Sequence, residues 1–432
     1  MVFKLLVNKM PLKRICETAG INIGTLYRKI DFIHKQCLEF AASFEQKLPG
    51  MKIPRVYLSV DRQEYTINWG NAGDKRNTVL MALGCADNKT SYVFGIHVNH
   101  DARLDAKKVE ADAKQIEEPE LRPPFRRYAR VWLQQDYQDA LERSQGRHSR
   151  KKRLRETIED IYIEATDRDD IEDPDFQTTE TTLPGRGMLV HSDYTLYGHF
   201  FFLKNLLSGV EKIRFFLDQE SGIRAACLSA FWVDVLAKRC DAFYVRVRKD
   251  LTINQKRRLK AESIRGLADF RASSASYEPL TDHDLRHIVV KQRLRDLVDI
   301  GEWHDRWLFY PFPDMSEPEK AICWLTNLYD GAYDDDHLAN LYSKATLHGI
   351  DRFFMQIRRR ISLLERPISS ASAEGRRWYG YSPYNPEIVG KVLDIFRVFY
   401  NFVEIGDDKK TPAMRLGLSE KVITVTEILG VE

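Results

Sequence analysis

The sequence predicts an α/β protein built on a mixed β-sheet. Residues 55–100 have the pattern of three strands joined by short turns, which is a β-meander. Residues 210–247 follow the order strand, carboxylate, helix, strand, which is typical of an α/β crossover. The chain has 432 residues, too many for one small core, and this length indicates two or three domains.

The first predicted strand carries a carboxylate. Val56, Leu58 and Val60 point to one side of the strand while their neighbours, including Asp61, point to the other. Two interpretations of Asp61 stay open at this stage. It is either an aspartate of a turn or a metal ligand held on a rigid sheet.

The remaining strands of the predicted sheet follow in order. Residues 78–86 and 91–98 complete the meander, with turn-forming residues at 87–90. After a predicted buried helix at 194–207, a strand ends at Leu217 and is followed directly by Asp218. An apolar helix at 223–237 and a strand at 241–247 come next.

The N-terminal segment 11–48 predicts a helix-turn-helix. A short helix, a turn at Gly20 and a second helix follow one another. Four residues on the exposed N-terminal side of the second helix are candidates for contacts with bases or phosphates: Thr25, Tyr27, Arg28 and Lys29. The alternative is an ordinary helical hairpin with a basic, solvated face.

Two segments read as insertions. Residues 101–186 are highly charged, with a basic run at 147–155, an acidic run at 167–175 and an expected disordered part at 169–182. Residues 251–377 are expected to be mainly helical. In that second insertion a long helix is predicted at 347–364, and its arginines are candidate phosphate ligands or else a solvated face: Arg358, Arg359 and Arg360.

The last predicted core helix, residues 387–402, begins with a third carboxylate, Glu387, just after Pro386. A meander, a helix, a strand and further α/β structure match the ribonuclease-H-like arrangement, in which the first and fourth strands lie side by side. Asp61 and Asp218 would then meet. Carboxylates with water and a substrate phosphate suit a pair of hard divalent cations. Taken singly, each residue is equally a turn or cap carboxylate.

Composition excludes several classes of protein. No run of eighteen apolar residues exists, so no membrane span is expected. The six cysteines are far apart and form no C-x-x-C pair, which argues against a zinc site and fits a reducing compartment. The net charge is only +3, so a nucleic-acid-binding protein of this composition has to concentrate its positive charge in patches.

Short motifs make the sequence recognisable. It resembles bacterial insertion-sequence transposases of the DDE, retroviral-integrase-like superfamily. The resemblance is carried by the helix-turn-helix, by Val60-Asp61-Arg-Gln, by Phe-Leu-Asp218-Gln-Glu-Ser-Gly and by Asp241-Ala-Phe-Tyr-Val. Its strongest part is Tyr400-Asn401-Phe402 followed by Thr411-Pro412-Ala413-Met414.

The resemblance implies a catalytic triad of Asp61, Asp218 and Glu387 that binds two Mg²⁺ or Mn²⁺ ions. It implies hydrolytic nicking at element ends, attack of the freed 3′-OH on target DNA, a homo-oligomer on double-stranded DNA, and a cytoplasmic, nucleoid-associated place in a bacterium. The gaps between the three acids are wide, and Val403 to Gly406 follow Tyr-Asn-Phe where related proteins carry His or Arg. Glu365 and Glu404 therefore stay open as rivals of Glu387.

Two other functions stay open: a catalytically inactive, transposase-derived DNA-binding regulator, and a structure-specific nuclease on the same fold. The abrupt start at Met1 also leaves open a missing N-terminal piece. The predicted organisation is a helix-turn-helix domain at 1–50, a catalytic core at 54–100, 187–250 and 378–418, insertions at 101–186 and 251–377, and a tail at 419–432.

Overall fold

A computed structural model describes most of the chain. The described residues are 1–70, 73–122, 125–144, 153–166, 181–220, 222–327, 333–366, 368–369, 377–378 and 380–430. Most of the predicted disordered part, 169–180, and part of the basic run, 147–152, lie outside the described residues. No helix in the described part of the chain is long and apolar enough to span a membrane.

The described residues form strands and helices throughout. The strands are β1 (Val56–Ile67), β2 (Thr78–Asp87), β3 (Val93–Val98), β4 (His100–Asp101), β5 (Met188–Leu189), β6 (Ile213–Asp218), β7 (Cys240–Val247), β8 (Val298–Ile300), β9 (Asp305–Phe309), β10 (Lys320–Trp324), β11 (Ile368–Ser369) and β12 (Arg377–Trp378). The helices are α1 (Val2–Leu6), α2 (Leu12–Ala19), α3 (Ile23–Glu45), α4 (Ala106–Gln115), α5 (Gln134–Ser144), α6 (Leu154–Thr166), α7 (Ser192–Leu206), α8 (Ile223–Leu236), α9 (Ile253–Ala272), α10 (Asp282–Arg293), α11 (Asp335–Lys344), α12 (His348–Arg360), α13 (Glu387–Phe402), α14 (Pro412–Leu416) and α15 (Val425–Ile428).

Eight strands form one mixed sheet in the order β3-β2-β1-β6-β7-β10-β9-β8. The meander β1-β2-β3 is antiparallel, and β6 and β7 run parallel to β1. The prediction of an α/β protein with a mixed sheet is therefore confirmed. The strands β6 and β7 are buried along almost their whole length, because α7 and α8 cover one face of the sheet.

The second insertion differs from its mainly helical prediction. It holds α9 to α12, but it also supplies β8, β9 and β10, which extend the central sheet beyond β7. These strands have only three to five residues, so their alternation is too short to stand out in the sequence. The long helix predicted at 347–364 ends at Arg360, where Ile361 turns to an extended, buried conformation.

The N-terminal helices share the core of the sheet. Leu26 and Ile30 on α3 belong to the same buried cluster as Phe396 on α13. Glu45, at the end of α3, forms a buried ion pair with Arg397 of α13. The predicted domain at 1–50 is therefore packed directly against the rest of the chain. The five buried cysteines and the half-buried Cys16 are all free thiols, as expected of small core residues.

Helix α12 lies unusually close to β1 and β2. The amide of Ile350 donates a hydrogen bond to Ser59 Oγ at 3.0 Å, and the amide of Gly349 donates to Asn88 Oδ1 at 3.0 Å. A Cβ added at Gly84 would lie 2.6 Å from Ile350 Cδ1, so only glycine permits this approach. Gly84 pairs with Asp61 across β1 and β2, so the docked helix lies beside that carboxylate.

Candidate metal centre

Asp61 and Asp218 meet because two parallel strands are in register. Val60 of β1 pairs with Leu217 of β6, and each strand places its aspartate at the next position. Both side chains are buried, with 4% and 7% of their residue surface exposed. The expectation that these two carboxylates come together therefore agrees with the geometry.

A third carboxylate joins them from an unexpected position. Glu220 lies two residues after Asp218, and carboxylate oxygens of Asp61, Asp218 and Glu220 lie within 4.8 Å of one another. Sequence reasoning missed Glu220 because it assigned one acid to each strand end. The available signal was the spacing itself, since Asp218 and Glu220 stand at positions i and i+2 and such positions face the same side of an extended chain.

Three cations surround this acidic group. Arg62 forms an ion pair with Glu220. Arg246 Nη1 lies 3.7 Å from Asp218 Oδ1, which is beyond hydrogen-bond distance. Lys249 Nζ lies 3.5 Å from Asp61 Oδ2. Within the described residues, no group donates a hydrogen bond to the Asp218 carboxylate, so this buried acid has space for a further ligand.

The pKa values of the acids are shifted in the direction expected of a cation site without its ion. Burial raises the pKa of Asp218 well above its usual range, and the charges of Asp61 and Glu220 raise it further. Burial also raises the pKa of Glu220 to about 7; the opposing effect of Arg62 is smaller, and Asp61 adds to the increase. A divalent cation would replace the protons, and oxygen donors are the ligands that Mg²⁺ and Mn²⁺ prefer. The residues present therefore fit such an ion.

Replacing Glu220 should weaken the pH dependence of stability in the metal-free protein. The pKa of Glu220 is about 7 in the folded chain against an ordinary value of 4.5. The folded state therefore keeps a proton that the unfolded state has released, and stability falls as pH rises through this window. One such group contributes at most about 1.4 kcal/mol per pH unit.

Urea denaturation with a chelator at about pH 5 and about pH 7 measures this difference. We expect a smaller change in the free energy of unfolding for Glu220→Gln than for the wild type. The same change in both proteins would mean that Glu220 ionises normally in the folded chain.

A fourth acid, Asp351, lies across the cavity from the group. It stands in the first turn of α12, and its Oδ1 is 3.7 Å from Lys249 Nζ. Burial raises the pKa of Asp351, Lys249 lowers it, and Asp61 raises it again. Asp61, Glu220, Lys249 and Asp351 all line one cavity of about 460 Å³ that also reaches Arg358 and Arg366.

The structure does not bring Glu387 to this group. Glu387 begins α13 as predicted, but its carboxylate forms an ion pair with Lys391. The reason is the packing of α13, which lies against β3 and α3, whereas α12 lies against β1 and β2. Of the two rivals, Glu404 pairs with Arg360 at 2.8 Å, and Glu365 lines the cavity but pairs with Lys9 at 3.1 Å.

The candidate DNA-binding residues lie in two places. On α3, Tyr27, Arg28 and Lys29 are exposed and Thr25 is half-buried, while Leu26 and Ile30 point inward. Asn22 caps this helix by accepting a hydrogen bond from the amide of Thr25 at 2.8 Å.

The three arginines of α12 diverge. Arg358 lines the cavity and donates to the side chain of Gln63, Arg359 is exposed, and Arg360 pairs with Glu404. Only Arg358 of the three therefore stands at the acidic group.

Comparison with protein-family models gives no match, and comparison with curated proteins gives no significant match. The functional interpretation therefore depends on the residues and their geometry.

Proposed function

We propose that this chain is a DNA transposase of the DDE type, which cleaves phosphodiester bonds with divalent cations and joins the freed 3′-OH to target DNA. The observation that carries the proposal is the group formed by Asp61, Asp218 and Glu220 at adjacent parallel strands. An antiparallel meander followed by two parallel strands, in the order β3-β2-β1-β6-β7, is the arrangement expected of a ribonuclease-H-like core.

The chemistry follows from the donor set. When bound, a divalent cation supplies Lewis-acid activation of the attacking oxygen and stabilises the charge of the phosphate. The chain's own residues hold the ion through Asp61 and Asp218, while Arg62 orients Glu220. Arg358, positioned by Gln63 on β1, places positive charge in the same cavity, where it can contact a phosphodiester oxygen.

Asp351 replaces Glu387 as the proposed third acid of the catalytic group. It stands on the helix that docks onto β1, and it faces the same cavity as Asp61. Glu387 lies on a helix that packs elsewhere. The proposed carboxylates are therefore Asp61, Asp218 and Asp351, with Glu220 beside them.

DNA recognition is proposed for the start of α3. A left-handed Gly20 separates α2 from α3, and the exposed Tyr27, Arg28 and Lys29 follow in the first turns of α3. This is the place from which a recognition helix contacts a major groove. Assembly as a homo-oligomer on double-stranded DNA belongs to the same proposal.

The Arg28→Ala variant should bind element ends more weakly. Loss of one phosphate contact is expected to reduce the dependence of log affinity on log salt by about one unit. Fluorescence anisotropy over a salt series measures this slope, with Lys107→Ala on α4 as an exposed-lysine control. An unchanged slope for Arg28→Ala would mean that α2 and α3 form a structural hairpin.

Nicking of DNA tests the proposed activity. The substrate is a supercoiled plasmid that carries the gene with its flanking DNA, because element ends should lie in those flanks. We expect nicking and strand joining with Mg²⁺ or Mn²⁺ and neither reaction with a chelator. DNA binding without nicking would favour a regulator, and nicking without joining would favour a structure-specific nuclease.

A further inference from the structure

A lysine ammonium lies among the carboxylates where a second cation would be expected. Lys249 Nζ is 3.5 Å from Asp61 Oδ2 and 3.7 Å from Asp351 Oδ1. These two acids come from different elements, β1 and α12, and the ammonium bridges them. Their other contacts do not compete for this position, since Asp61 Oδ1 accepts a hydrogen bond from the amide of Arg62 at 2.8 Å.

The main chain around Lys249 is fixed on both sides. It follows β7 by two residues, and the amide of Arg248 donates to the carbonyl of Glu319 at 3.0 Å. The Arg248 side chain pairs with Asp250 at 2.8 Å and with Glu319 at 3.2 Å. The position of the ammonium is therefore supported by the strand end and by its neighbours.

Two divalent cations about 4 Å apart would share Asp61, with one ion toward Asp218 and the other toward Asp351. The side toward Asp218 and Glu220 has three carboxylates and no ammonium between them. The side toward Asp351 already holds the Lys249 charge. A divalent cation placed there would lie close to a positive charge in a partly buried site, which is unfavourable.

We propose that the Lys249 ammonium takes one of the two cation positions, so that the chain binds a single divalent cation through Asp61, Asp218 and Glu220. This inference rests on the proposed function, and it replaces the expected pair of ions by one ion and one lysine. The ammonium then also faces the substrate, where it can contact a phosphodiester oxygen without being a metal ligand.

Charge balance agrees with this arrangement. Asp61, Asp218, Glu220 and Asp351 carry four negative charges, and Arg62, Arg246 and Lys249 carry three positive charges. One divalent cation leaves a net charge of +1, which matches one phosphodiester. Two divalent cations would leave +3 around the same group.

The number of bound Mn²⁺ ions tests the inference without measuring activity. The full-length chain is titrated with Mn²⁺ and the bound ions are counted by electron paramagnetic resonance, with and without plasmid DNA. We expect one ion for the wild type and for Lys344→Met, a control lysine that contacts Tyr57 outside the cavity. We expect two ions, with a spin-coupled signal, for Lys249→Met.

The outcomes separate this inference from the proposed function. Two coupled ions in the wild type would overturn the inference and leave the transposase proposal in place. One ion in a folded Lys249→Met variant, as judged by circular dichroism, would also overturn it, because the position would then not be a cation site. No bound Mn²⁺ in either protein would overturn both proposals together.

Discussion

The Asp218→Asn variant is expected to lose Mg²⁺-dependent nicking by about 10²- to 10³-fold or more, while its affinity for DNA stays unchanged. The amide keeps the size of the carboxylate but removes the charge that a cation needs. Asp218 is buried at the end of β6 and lies far along the chain from the exposed start of α3. Plasmid nicking and fluorescence anisotropy on the same preparation separate the two properties.

Two matched variants show which helix supplies the third acid. Asp351→Asn on α12 should lose nicking to a similar extent, because Asp351 faces the cavity of Asp61. Glu387→Gln on α13 should stay close to the wild type, because Glu387 pairs with Lys391 instead. The reverse order, with Glu387→Gln inactive and Asp351→Asn active, would require α13 to move to the sheet edge when DNA binds.

The Arg397→Met variant is expected to lose about 3–5 kcal/mol of the free energy of unfolding. Arg397 on α13 is buried and pairs with Glu45 at the end of α3, and it also donates to the carbonyl of Phe94 at 3.2 Å. Removing it leaves the Glu45 carboxylate buried with only the Tyr92 hydroxyl as a hydrogen-bond donor among its described contacts. Urea denaturation followed by circular dichroism measures the loss.

An exposed ion pair on the same helix gives the control for Arg397. Lys391 pairs with Asp31 at 2.6 Å and with Glu387, and all three side chains are at least one-fifth exposed. Lys391→Met is therefore expected to cost no more than about 1 kcal/mol. Equal losses in the two variants would mean that the buried pair contributes no more than a surface pair does.

The central strands and the first two carboxylates were predictable because their signals are local. An alternating strand at 56–67 and an apolar strand ending in Asp218 each announce themselves in a few residues. Their meeting required only that the two strands be adjacent and parallel. The same is true of α13, whose apolar spacing and first-turn proline gave its bounds, Glu387–Phe402.

The third acid was not predictable because its choice depends on tertiary packing. Several carboxylates follow Asp218 at helix starts or ends, and the sequence does not say which helix will lie over β1. That depends on Gly84, which leaves room for Ile350, and on Ser59, which accepts from the main chain of α12. Each of these is unremarkable by itself in the sequence, and they act together only once the sheet has formed.

The continuous packing of α3 has a consequence for where DNA would be cut. This single helix of 23 residues is about 34 Å long. It begins at the exposed basic face and ends at Glu45, which is fixed to α13 inside the core. With no flexible linker along this path, the recognition face and the acidic group keep a constant separation. The chain would thus act as a ruler, in which the bases read by α3 determine the bond that enters the cavity.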